Sequence, residues 1–540
     1  MIHPLAFISQ RNKKKNNLSE QWNKIKDESF DFDLIESYFR KKNHSSAFQV
    51  INNKTINDID LYELFTFIDR TNSKIGQQYL LNMLFTINNS LSFDSQERLI
   101  KYFNENEKAR KKTRSIFSRL NQHEAYYISD LFLTQYVQKP KWFWVIPIAS
   151  ILPLTTLFLT FFIPKMLFLL FFLIVLNIVF HYLNKPNIFM YTDSIPQLII
   201  LCKMVNELTK SDIPTTSNDN NSIQSSLKSI NSIKKYLSIF KLEAKSNGSE
   251  FAAIVLLIVE YVKIFFLIEP QIVFATLKKL DKKREDIRIL FEYLGEIDAA
   301  VSIASLRATI PYWCNPIFHN NNKYLNVQDL YHPLITNAVP NTLDISDKSI
   351  LLTGSNMSGK TTFIRTIAIN TLLAQTINTT FATSFNLSQM RIFSAIRISD
   401  DLLNDKSYYM EEVETIKNMI DECRSKQRNI FILDEIFKGT NTTERIAAGK
   451  AVLSYLSADD NIVFVSTHDI ELASLLADSY NLHHFTEVVD NNTIRFDYKL
   501  KPGKLTTRNA IKILELANYP EQIIDEARKI SGSLKQENSL

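Results

Sequence analysis

The chain has 540 residues, with 62 Lys and Arg against 57 Asp and Glu for a net charge of +5, enough for several domains with separate cores. Its three cysteines, Cys202, Cys314 and Cys423, form no CxxC pair, which excludes a disulfide framework or a zinc ribbon and points to a reducing compartment. The small net charge identifies neither a nucleic-acid nor a membrane partner by itself.

Residues 1–51 read as a polar N-terminal segment rich in Lys and Asn. Its basic cluster, Arg11 to Lys15, follows a short apolar run, the reverse of the order a signal peptide needs. From 52 to 141 the apolar spacing is largely helical, as in Leu61–Asp69 and Gln77–Phe85.

Residues 142–163 carry no charge, and the apolar run resumes over 166–183 after Pro164 and Lys165. Each stretch approaches the length that crosses ~30 Å of hydrocarbon. Trp142 and Trp144 suit an interface, Lys139, Lys141 and Lys185 flank the outer ends, and Lys165 marks the turn. The expectation is a two-helix transmembrane hairpin over 142–183. It would make the chain integral to the cytoplasmic (inner) membrane, with both termini and the nucleotide site in the cytoplasm. A third apolar stretch, Phe251 to Ile268, is broken by Glu260 and Lys263 on one helix face and reads as a buried helix.

Residues 184–323 are again helical in pattern, interrupted by a polar loop at 211–222. Beyond Tyr324 short apolar runs alternate with amphipathic helices, the signature of a parallel α/β sheet over 324–540. The expected fold is multidomain: a helical region with the hairpin inserted in it, then a C-terminal α/β P-loop domain.

Gly354-Ser-Asn-Met-Ser-Gly359-Lys360-Thr361 fits GxxxxGK[ST] between an apolar strand and a helix, the context a phosphate-binding loop requires. In such a loop backbone N–H groups cradle the β-phosphate at a helix N-terminus, Lys360 reaches the β and γ oxygens, and the Thr361 hydroxyl ligates Mg²⁺. ATP contacts are expected from Gly354, Ser355, Asn356, Met357, Ser358, Gly359, Lys360, Thr361 and Thr362. A second apolar strand ends in Asp434-Glu435, with Asp434 on Mg²⁺ and Glu435 as general base. A third ends in Ser466-Thr467-His468, which puts His468 at the strand ends as a γ-phosphate sensor. No metal beyond Mg²⁺ is assigned: His483 and His484 are strand neighbours that point to opposite faces.

Thr353-Gly-Ser-Asn-Met-Ser-Gly-Lys-Thr-Thr resembles the TGPNMGGKST of the MutS group of DNA mismatch-repair ATPases, an ABC-type family. Tyr331-His332-Pro333 with Val339-Pro340-Asn341, Ser399-Asp-Asp-Leu with Lys406-Ser407-Tyr-Tyr-Met-Glu-Glu, Asp434-Glu435-Ile with Lys438-Gly439-Thr440, and Ser466-Thr467-His468 are similar to further motifs of that family in the same order. The tail, from Tyr498-Lys-Leu-Lys-Pro-Gly to Ala527-Arg528-Lys529-Ile530, looks like the family's end, and Phe67-Ile-Asp-Arg-Thr-Asn-Ser-Lys-Ile-Gly76 looks like the start of its lever helices.

The resemblance implies an ATPase that dimerises through its ATPase domain, Ser407 completing the partner's site in trans. It also implies lever helices over 52–141 and 184–323, and DNA binding. The residues ahead of Phe67 contain no Phe-x-Glu wedge motif; Phe103-Asn-Glu105 and Phe485-Thr-Glu487 lie elsewhere, so direct mismatch recognition is not expected. The competing expectation is an ABC-type mechanoenzyme or switch acting on a membrane, lipid or protein partner without DNA. The basic segments Arg11–Lys15 and Arg110–Arg114 suit phosphates or anionic lipid, and read equally well as plain solvated faces.

Overall fold

Apolar residues three and four apart build the first part of the chain as packed helices. The computed structural model describes residues 22, 24–134, 141–233, 261–320, 323–355, 357–397, 408–425, 427–490, 493–505, 511, 514–515 and 519–537. The chain forms two units: Met1–Ser45, Thr66–Phe85 and Ser92–Thr309 in the first, and Ser46–Phe65, Thr86–Leu91 and Ile310–Leu540 in the second.

The first unit is organised around the helix Arg284–Arg307, whose side chains from Tyr293 to Arg307 are all buried. Glu285 and Asp286 in its first turn and Arg307 in its last complement the helix dipole. It packs against Lys74–Phe85, Asp94–Glu105 and Asn220–Asn231. The approach to Lys74–Phe85 is close because position 76 is glycine: a Cβ there would stand 2.3 Å from Asp298 Oδ2. The Asp298 carboxylate in turn accepts from Asn72 N at 2.9 Å and Ser73 Oγ at 2.6 Å, fixing the entry to that helix.

The transmembrane hairpin expected over 142–183 is not what forms, and the integral-membrane localisation that followed from it is withdrawn. Among the described residues no helix is long and apolar enough to cross a membrane. The first stretch yields a helix of 16 residues, Val145–Thr160, with Pro153 inside it. At 1.5 Å per residue that is ~24 Å, short of the ~30 Å of a bilayer core. The second stretch is no separate span but the opening of a 43-residue helix, Met166–Leu208. The far half of that helix buries Ile195, Leu198, Leu201, Met204, Val205 and Leu208 in the first unit. The two helices are joined by a buried amide, Asn177 Nδ2 donating to Ala149 O at 2.8 Å and to Phe265 O at 2.6 Å. Phe158, Phe161 and Phe168 on this pair are exposed. Residues 251–260, read as part of a buried helix, lie outside the described residues.

The second unit holds a six-stranded sheet. Its strands are β1 (Ser349–Gly354), β2 (Arg391–Ala395), β3 (Asn429–Asp434), β4 (Ile462–Ser466), β5 (Tyr480–Phe485) and β6 (Lys501–Pro502), in the order β6-β5-β1-β4-β3-β2. All neighbours are parallel except β5 and β6. β1 and β4 are buried throughout, which explains why they read as unbroken apolar runs. The helices α1 (Lys360–Thr376), α2 (Tyr408–Cys423) and α3 (Thr442–Leu456) follow β1, precede β3 and precede β4 respectively. A four-stranded sheet of Ile317–Phe318, Ser384–Leu387, Leu325–Leu330 and Asn341–Ile345 lies in the same unit.

Two short strands, Ala47–Val50 in the segment read as polar and Thr86–Asn88 in the stretch read as helical, pair antiparallel within this unit. Gln49 uses its side chain as a strand would use its backbone: its amide donates to Ile392 O at 2.7 Å and accepts from Ile392 N at 2.8 Å. Asp58, fully buried, accepts from Ser394 Oγ at 2.7 Å and from the backbone of Ile396 and Arg397 at 2.9 Å each. Asp60 pairs with Arg397 at 2.6 Å and Arg365 at 3.2 Å. A segment some three hundred positions upstream thereby caps the end of β2 and reaches α1 through Asp60 and Arg365.

Candidate functional site

Strand register brings the polar strand ends together. Ser466 stands opposite Asp434 on one side and Leu352 on the other, so β1, β4 and β3 deliver their last residues to one edge of the sheet. Thr467 N donates to Leu352 O at 3.0 Å and Glu435 N to Ser466 O at 2.9 Å, extending the ladder one step past the strands.

The loop from β1 to α1 turns on Gly354, Met357 and Gly359, all at positive φ. A Cβ at Gly354 would stand 2.6 Å from Phe485 O and 2.9 Å from Ser358 Oγ, so only glycine fits beneath the loop. The Lys360 ammonium, nearly enclosed, donates to the carbonyls of Gly354 and Ser355 at 2.9 Å each and stands 3.5 Å from His468 Nε2. Burial pushes its pKa down, against the pull of Glu435 and Asp434. The Ser358 hydroxyl is buried with no hydrogen-bond partner among the described residues.

Thr361 Oγ1 donates to Asp434 Oδ2 at 2.8 Å, and the Ser466 hydroxyl donates to Asp434 Oδ1. Both oxygens of the neighbouring Glu435 are engaged as well, by His468 Nε2 at 2.7 Å and Lys438 Nζ at 2.8 Å. The His468 hydrogen bond, reinforced by Lys438, outweighs burial and pushes the Glu435 carboxyl down to about 2. It is therefore ionised throughout the physiological range.

A cavity of about 510 Å³ opens over this edge, lined on one side by Ser358 to Phe363 with Glu435 and on the other by His332, Ile335, Val339 and Asn341. Tyr498 closes one wall, its ring carbon Cδ1 3.1 Å from where a Gly359 Cβ would be. Asn341 holds that wall in place, donating to Tyr498 O at 3.0 Å and accepting from Leu500 N at 2.8 Å. His332 accepts from Leu334 N through Nδ1 at 3.2 Å. Its pKa is brought down to about 4 by burial and by the Arg365 guanidinium.

The structure gathers Gly354, Ser355, Met357, Ser358, Gly359, Lys360, Thr361, Thr362, Asp434, Glu435 and His468 at one sheet edge. Asn356 and Ser407 lie outside the described residues. Sequence reasoning quoted Ser466, Lys438, His332, Asn341 and Tyr498 within motifs without giving them roles. Glu487, named there only within Phe485-Thr-Glu487, accepts from Ser355 Oγ at 2.6 Å. For Lys438 the signal was available, since a cation three residues past a strand-end glutamate can fold back on it.

The residues present fit a magnesium nucleotide. The positive-φ loop ends at a helix N-terminus, Lys360 is turned into it, a buried hydroxyl at Ser358 lacks a partner, and Thr361 and Asp434 form a hard oxygen pair. Among the described residues no cluster of three His, Cys, Asp or Glu forms another metal site.

Comparison with known proteins agrees with this geometry. Residues 350–535 match the family described as MutS domain V. The DNA mismatch repair protein MutS of Aquifex pyrophilus is 31% identical over 271 residues, covering 48% of this chain and 31% of that protein. The same protein of Thermus thermophilus is 27% identical over 270 residues, 49% of this chain and 33% of that protein. That of Clostridium botulinum is 29% identical over 277 residues, 48% and 29%. The chain thus spans about a third of the length of the curated relatives it matches. These matches support a MutS-family relationship.

Proposed function

We propose that the chain is a MutS-type ATPase that binds Mg²⁺ and ATP at the β1–α1 loop, hydrolyses the nucleotide, and couples the cycle to DNA. The observation that carries this reading is the convergence at one sheet edge of the Gly354–Thr361 loop, the Thr361–Asp434 pair and the Glu435–His468 pair.

Lys360 would leave the carbonyls of Gly354 and Ser355 to hold the β and γ oxygens, and the loop N–H groups would close around the β-phosphate. Thr361 and Asp434 would hold Mg²⁺, which supplies charge neutralisation on the phosphates. Glu435 takes a proton from water through one carboxylate oxygen once either His468 or Lys438 lets go of it. His468, 3.5 Å from Lys360 Nζ and bonded to Glu435, orients the carboxylate and senses the terminal phosphate. The cavity walls at Tyr498 and Val339 offer an aromatic and an apolar face to the base. By resemblance Ser407 completes the site of a second copy, so that two chains close on two nucleotides.

The relatives are DNA mismatch repair proteins by description; for this chain DNA binding is inferred from that kinship. The test is steady-state phosphate release with homoduplex, mismatched, branched and single-stranded DNA at two salt concentrations. Stimulation by one DNA form supports the reading and names its substrate. Indifference to every DNA at low salt moves it to an ATP-driven switch on a protein partner.

A further inference from the structure

The turn that carries Glu435 is strained and has to be held. Glu435 and Phe437 both sit at positive φ, 51° and 60°, a conformation that non-glycine residues keep only where the surroundings impose it. One end is tied to the sheet by Glu435 N on Ser466 O. The other opens α3, where Asn441 accepts from Glu444 N at 3.0 Å. Between them the turn leans on α2. The Glu412 carboxylate, 1% exposed, accepts from Phe437 N through Oε1. One turn earlier, Tyr409 lies against Gly439, where a Cβ would be 2.9 Å from Tyr409 Cβ, and its ring is 6.4 Å from that of Phe437.

A buried carboxylate bonded to a backbone N–H, two residues from a second carboxylate aimed at the site, is costly as mere packing. Ile416, one turn further along α2, belongs with Ile436 and Phe437 to one hydrophobic core, so an apolar residue such as Leu or Met would be the ordinary choice at position 412.

We propose that Glu412 is a positioning residue for Glu435: from α2 it fixes the Phe437 N–H and so sets where the Glu435 carboxylate points. Among the described residues it is not part of the cavity lining, and it acts through the turn. This inference rests on the hydrolytic reading of Glu435 and deepens it. It places the control of the base on α2, while nucleotide binding is left to β1 and α1.

The test compares the full-length wild-type chain with Glu412→Leu and Glu412→Gln, reading ATP affinity by titration with a fluorescent ATP analogue, kcat by phosphate release, and folded fraction by thermal melting. Glu412→Leu is expected to lower kcat on the order of 100-fold, as sub-ångström to 1 Å misplacement of a reacting group does, with affinity unchanged. Glu412→Gln, which keeps an oxygen acceptor, should stay within about tenfold of wild type. If Glu412→Leu does not fold, Gly439→Ala pushes the same turn off Tyr409 and should give the same split. Wild-type turnover with an unaffected kcat in the folded variant, or a kcat that falls only in step with affinity, overturns this inference alone. Absence of turnover in the wild-type chain overturns the hydrolytic reading with it.

Discussion

Thr361 Oγ1 donates to Asp434 Oδ2 over 2.8 Å, joining the first turn of α1 to the last residue of β3. The neighbouring Glu435 is held by a separate pair of side chains, the His468 imidazole and the Lys438 ammonium. Adjacent carboxylates at one strand end are thereby given different environments, Asp434 facing two hydroxyls and Glu435 a histidine and a lysine.

Thr361→Ala removes the hydroxyl but leaves the loop intact. The expected outcome is nucleotide binding that has lost most of its dependence on Mg²⁺. Titrating a fluorescent ATP analogue with and without the metal measures this; an undiminished Mg²⁺ effect would place the metal elsewhere.

Gly354→Ala puts a methyl 2.6 Å from Phe485 O, and a backbone atom of a paired strand cannot step aside. The variant should lose nucleotide binding by at least an order of magnitude, with a stability cost of about 1–3 kcal/mol from overpacking. Binding at wild-type affinity would show that the loop adopts another conformation.

Asp58→Ala strips acceptors from the Ser394 hydroxyl and two backbone N–H groups at a fully buried position. With each orphaned donor costing ~1–3 kcal/mol, the second unit should lose about 3 kcal/mol. Urea unfolding followed by a probe in that unit reads the change, and a variant as stable as wild type would mean that residues 46–65 do not belong there.

His332 gives stability a pH dependence of known sign. Its folded pKa is about 4 against an ordinary 6.5, so between those values the unfolded chain takes up a proton that the folded chain refuses. The contribution is complete above pH 6.5 and is lost as pH falls towards 4. His332→Gln should flatten the urea-midpoint profile across that window, and an unchanged slope there would assign the titration to another group.

Much of the site was legible because its chemistry is local in sequence. Gly354 to Thr361 is one loop, and Asp434, Glu435 and His468 close apolar strands whose burial on both faces leaves an unmistakable run. What connects them was not legible. Lys438 on Glu435 and Glu487 on Ser355 depend on side-chain directions, and Asp58 beneath Arg397 joins positions 339 apart. Neither the polar segment that holds Ala47–Val50 nor the helical pattern that holds Thr86–Asn88 signalled a strand, because four and three residues are too few for a period.

The transmembrane expectation failed for a related reason. Hydropathy counts apolar residues and is blind to where a helix stops. Over 142–163 the helix ends at Thr160 after 16 residues, and over 166–183 it does not end at all but runs on to Leu208.

The most direct measurement is phosphate release by the purified full-length chain with Mg²⁺ and ATP, beside Lys360→Ala and Glu435→Gln. Steady turnover by the wild-type chain, no nucleotide binding in Lys360→Ala, and tight ATP binding without turnover in Glu435→Gln is the predicted result. Turnover retained in both variants, or a wild-type chain that neither binds nor hydrolyses ATP, would contradict the account.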